Sequence, residues 1–142
     1  MARMVAREVL MKLLYERDVA GEHHEESLGS MKDEFKLEEN DETYINEILR
    51  GMDDEQDTID KYIMKYAKDW TLERMARVDI AILRLAIFEL LYRKDIPIGV
   101  SINEAVELAK TYGNEKSGSF VNGILGNFAR MESIVDHDEL KE

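Results

Sequence analysis

The chain has 142 residues, 44% of them hydrophobic, with eight glycines and one proline, which suits a single domain built from long uninterrupted helices. It has no cysteine, so disulfides and thiolate metal sites are excluded. The formal charge of −12 argues against a uniformly basic surface, yet residues 21–60 hold 15 acids against 3 bases, and apart from the acidic tail the rest is +4, leaving room for RNA at a local patch.

Taken in chain order, the first predicted helix runs from about Arg3 to Ala20. Val5, Val9 and Leu13 form one stripe with Ala6, Leu10 and Leu14 beside it, and Gly21 ends the helix. A short acidic helix with Met31, Phe35 and Leu37 follows. Asn40 and Asp41 then start a longer one, in which Ile45, Ile48, Met52, Ile59, Ile63 and Tyr66 keep an approximate heptad spacing. Trp70-Thr71 marks a break before a helical turn over Leu72 to Met75. The most apolar helix covers Val78 to Tyr92. Asp79, Arg84 and Glu89 interrupt it, so it reads as a buried helix and not a membrane span. Asp95 to Gly99, with Pro97, connects it to Ser101-Ile102-Asn103-Glu104, which has the pattern of a capping box opening the next helix. That helix should close near Tyr112, where Gly113 and Asn114 tolerate a left-handed conformation, and a last helix begins between Lys116 and Ser119. The expected fold is all-α, two packed three-helix bundles: an N-terminal bundle over 1–68, a C-terminal bundle over 69–130 and an acidic tail over 131–142.

The loop between the last two helices carries the functional signal. Tyr112, Lys116, Ser117, Ser119 and Phe120 offer aromatic faces, an ammonium and hydroxyls around a helix start, groups that suit stacked bases and phosphate. The same residues fit a plain structural reading, with both rings packed inward and the serines as caps. Residue pattern alone leaves both open. Gly113-Asn114-Glu115-Lys116-Ser117-Gly118-Ser119 has the glycine spacing of a P-loop, but Ser119 stands where the lysine must be and a helix precedes it, so triphosphate binding is not expected. Adjacent His23 and His24 point to different sides of a helix and make a poor metal pair, and His137 lies in the acidic tail. The acid pairs look like solvated faces. No catalytic group, metal or cofactor is expected, and with no targeting or membrane-spanning segment the chain reads as cytoplasmic.

Three stretches together resemble the NusB family of bacterial transcription antitermination factors: Ala6-Arg7-Glu8 through Leu14-Tyr15, Arg77-Val78-Asp79-Ile80-Ala81 through Glu89, and Ile102-Asn103-Glu104-Ala105-Val106 through Phe120-Val121-Asn122-Gly123-Ile124-Leu125. The resemblance implies two three-helix bundles and no catalysis. It implies binding of the boxA element of ribosomal RNA leader transcripts together with NusE, a small-subunit ribosomal protein, in support of transcribing RNA polymerase; some members form homodimers. It assigns RNA to Arg3, Arg7 and the Tyr112–Phe120 segment, and the protein partner to Tyr15, Asp79 and Arg84. Where family N-termini often carry a run of arginines, this chain has Arg3 and Arg7, an i,i+4 pair. The alternative is a helical interaction module for itself or NusE with little RNA affinity of its own. RNA cytosine methyltransferases carry NusB-like domains, but this chain has neither their cysteine nucleophile nor their cofactor loop.

Overall fold

A computed structural model describes residues 3–21, 25–68 and 71–135, and their side chains except those of Arg3, Glu25 and Glu26. His23, His24, Trp70, His137 and the tail beyond Val135 lie outside the described residues. Those described form α1 (Arg3–Ala20), α2 (Glu25–Glu34), α3 (Glu39–Tyr66), a 3₁₀ turn (Leu72–Arg74), α4 (Arg77–Tyr92), α5 (Ile98–Tyr112) and α6 (Ser117–Met131), with no strand among them. None of these helices is long and apolar enough to cross a membrane.

Helix α4 organises the packing. Every residue from Asp79 to Leu90 is buried, because α4 contacts α1, α3, α5 and α6. The apolar stripes of α1 and α3, with Val9, Leu10, Leu14, Ile45, Ile48 and Met52 buried, pack around it together with α6, whose Val121, Leu125 and Phe128 are buried. All of them join one continuous core.

A charge on a helix buried on every side needs a partner, and Glu89 and Arg84 of α4 find theirs on the neighbouring helices. The Glu89 carboxylate, 1% exposed, accepts from Arg7 Nε at 2.8 Å and Nη2 at 3.1 Å, from Ser101 Oγ at 2.7 Å, and from the Tyr44 hydroxyl. One carboxylate therefore ties α1, α3 and α5 to α4. Arg84, also buried, donates Nε and Nη2 to the two oxygens of Asp60 at 2.8 and 2.9 Å, and its Nη1 lies 3.4 Å from Asp18.

Three local expectations are corrected. Helix α5 begins at Ile98 with Pro97 as its cap, so Ser101 is one turn inside the helix, where its hydroxyl serves Glu89 and not a helix end. Proline carries no amide to satisfy, so it suits this edge of a helix. Phe35 and Leu37 lie beyond α2, in the turn leading to α3, with Leu37 buried. Gly113 has φ −91° and ψ −165°, ordinary extended backbone. It is required there for space: a Cβ would sit 2.3 Å from Ser117 Oγ and 2.8 Å from the Ala109 carbonyl.

Candidate nucleic-acid interface

The α5–α6 loop is fixed from within by hydrogen bonds between neighbours. Ser117, 1% exposed, accepts the Asn114 amide on Oγ at 3.0 Å, and Asn114 Oδ1 accepts the Lys116 amide at 2.8 Å. The Ser117 hydroxyl also faces the Asp79 carboxylate, so the loop lies against the first turn of α4. Of the loop residues expected at RNA, Ser117 thus acts from beneath the surface, whereas Lys116 and Ser119 are exposed and Phe120 is half-buried.

Phe120 stands between two concavities. On one side is an open cleft of about 510 Å³ walled by Met75, Asp79, Ser117 and Phe120, with exposed Arg74 and Lys116 among its lining. On the other is a shallower groove of about 370 Å³, lined by Tyr66, Lys68, Ser119, Phe120 and Asn127. Phe120 belongs to both linings, with Arg74 and Lys116 in one and Lys68 in the other. Sequence reasoning missed Arg74 and Lys68. Their signal was weak: both lie beside the Trp70-Thr71 break, where no periodicity tells which way a side chain faces.

Asp79 is 5% exposed, and one of its oxygens, Oδ1, has no hydrogen-bond partner. Burial pushes its carboxyl above the usual carboxylate range, and the Ser117 hydroxyl draws it partly back. Asp79 and Arg84, both expected at the protein partner, have different surroundings. Asp79 lines the loop cleft, and Arg84 is committed to Asp60 and Asp18 below the surface.

Two RNA expectations also change. Arg7, 4% exposed, is held by Glu89 and cannot present its charge to phosphate without abandoning that buried carboxylate. The i,i+4 relation to Arg3 holds for the backbone, but the side chain of Arg3 lies outside the described residues. Tyr112 donates its hydroxyl to Glu8, and Lys12 Nζ sits 5.2 Å over its ring, leaving less of that face for a base. Lys12 is also 4.9 Å from the Phe35 ring. Tyr15, 38% exposed, lines a separate groove with Met11, Lys12, Val19, Met31 and Val78.

Residues 4–130 match the model of the NusB family. The chain belongs to the NusB family. A curated relative, the transcription antitermination protein NusB of Acetivibrio thermocellus, is 46% identical over 132 residues, covering 93% of this chain and 91% of the relative. Among solved structures, NusB of T. maritima is 36% identical with a TM-score of 0.85, covering 99% of this chain and 97% of that one. NusB from a complex of antitermination factors NusB and NusE with double-stranded RNA is 27% identical with a TM-score of 0.81, over 92% of this chain and 97% of that one. The NusB-type helical fold expected from the three sequence stretches is therefore the observed one.

Proposed function

We propose that this protein is a cytoplasmic RNA-binding transcription antitermination factor, binding boxA RNA of ribosomal RNA leader transcripts together with NusE and acting on transcribing RNA polymerase without a catalytic step. The observation that carries the RNA reading is Phe120, a half-buried ring between two concavities whose linings supply Arg74, Lys116 and Lys68. A single strand laid across it meets one stacking face and three cations, the combination that binds RNA. The names of the curated relatives and the neighbouring NusB–NusE–RNA structure support the same reading. For NusE, the Tyr15 groove is the better candidate, since Arg84 is internally paired.

A second reading, an interaction module with slight RNA affinity, is favoured by one fact: Arg7 is spent on Glu89, which reduces the cations available. Titrating boxA RNA with and without NusE at two salt concentrations separates the two. Phe120→Ala should weaken RNA binding by about 1 to 3 kcal/mol, while a thermal melt shows a smaller loss of stability than the roughly 3 to 5 kcal/mol expected for truncating the fully buried Phe128. Unchanged RNA affinity in Phe120→Ala would favour the second reading.

A further inference from the structure

Residues 136–142 set four acids, Asp136, Asp138, Glu139 and Glu142, against the single base Lys141, and the fold fixes the place from which they depart. Helix α6 closes on Ser133, which is left-handed at φ +56° and whose amide donates to the Arg130 carbonyl at 3.3 Å, while the Ile134 amide donates to the Ala129 carbonyl at 2.9 Å. This closure turns the chain off the helix axis and packs Ile134 on the core. Just before it, Glu132 accepts from Lys65 Nζ at 2.8 Å and from the Tyr66 hydroxyl. Val135 is therefore held close to the end of α3.

Tyr66, which bonds Glu132, also lines the groove that contains Lys68 and Phe120. That groove suits an acidic segment better than a basic one. Its described lining contains no acid, Lys68 is exposed and has no ion pair among the described residues, and exposed Arg130 donates to Asn127 of the same lining. Seven extended residues span up to about 23 Å, ample for a groove that opens within one side chain of Glu132.

We propose that residues 136–142 dock in the groove between the end of α3 and α6, with their carboxylates on Lys68 and Arg130, and hold it in competition with RNA. Each exposed charge pair is weak by itself. A segment tethered this closely is nevertheless present at an effective concentration on the order of millimolar, so weak pairs suffice to fill the groove in the absence of a polyanion. An RNA must then expel the segment before its phosphates reach Lys68, which lowers affinity for every sequence alike. The competition rests on the RNA-binding reading above, whereas the docking does not.

The test uses the full chain and a full-length variant carrying Asp136→Asn, Asp138→Asn, Glu139→Gln and Glu142→Gln. At low salt, backbone amide NMR shifts of Lys68, Ser119, Phe120 and Gly123 should differ between the two proteins, and those of Tyr15 and Val19 in the separate groove should not. The variant should bind boxA RNA at least about twofold tighter, the competition expected of a segment whose own Kd matches its effective concentration. With Lys68→Ala added to both proteins, that gain should fall to about one.

Unmoved groove amides would overturn the docking. An RNA gain that persists undiminished in the Lys68→Ala pair would mean that the acids act by long-range repulsion from no fixed place, and the docking would again be wrong. Shift differences that grow with protein concentration would assign the contact to a second copy of the chain and overturn the intramolecular form. If the groove amides move but neither protein binds RNA, the RNA-binding reading fails and the competition with it, while the docking stands.

Discussion

At the residue scale the decisive pair is Arg7 and Glu89. A basic residue near the N-terminus of an RNA-binding chain invites assignment to phosphate, and its sequence neighbourhood gives no sign otherwise. What redirects it is a partner 82 positions away, a carboxylate 1% exposed in the middle of the core. Removing one member of a buried pair strands the other, so Arg7→Ala should cost about 3 to 5 kcal/mol in stability by denaturant titration. Glu89→Gln keeps an acceptor for Tyr44 and Ser101 while losing the charge. The double variant Arg7→Met, Glu89→Gln should therefore recover part of that loss, a positive coupling in a double-mutant cycle. The salt dependence of RNA binding by the double variant should match that of the unaltered protein. A shallower slope would mean that Arg7 reaches phosphate after all.

At the element scale most of the architecture was legible in the sequence. The periodic stripes of α1 and α3 gave their existence and their inward faces, since burial on such helices recurs every three to four residues, and the nearly continuous apolar run of α4 marked it as buried. What escaped were features set by contact between elements. Ser101 and Glu104 have the spacing of a capping box, but spacing cannot show that Pro97 starts the helix a turn earlier or that a carboxylate waits beneath Ser101. Gly51 is another such feature, a glycine inside α3 whose sequence context suggests only a weak point. A Cβ there would lie 2.4 Å from the Phe88 ring, which itself rests on Tyr92 with centroids 4.9 Å apart. Gly51→Ala gains about 1 kcal/mol of helix propensity against roughly 1 to 3 kcal/mol of overpacking. The net effect should be a lowered melting temperature, with helical content kept. An increase would show that Phe88 yields freely and that α3 and α4 do not need this close approach.

At the scale of the whole molecule the question is how a chain of net charge −12 holds a polyanion. Among the described side chains, two arginines that count in its favour on paper, Arg7 and Arg84, are internal and contribute nothing outside. The loop residues were found from sequence because a loop crowded with aromatic, cationic and hydroxyl groups is visible without a fold. The cations completing the patch were not, since only the fold brings the 3₁₀ turn and the end of α3 to the start of α6. If Arg74, Lys116 and Lys68 each meet a phosphate, counterion release for a single strand gives a slope of log affinity against log salt of about −2 from these three. That is shallow. Replacing any one with alanine should reduce the slope by roughly 0.7 and weaken all RNA sequences alike, because phosphate contacts carry no base information. Lys68→Ala is the most informative of the three, since Lys68 lines the groove beyond Phe120 and not the Asp79 cleft. Loss of slope in Lys68→Ala would place the strand across the ring into both concavities. An unaltered slope there, with reduced slopes in Arg74→Ala and Lys116→Ala, would confine the RNA to the Asp79 side of Phe120.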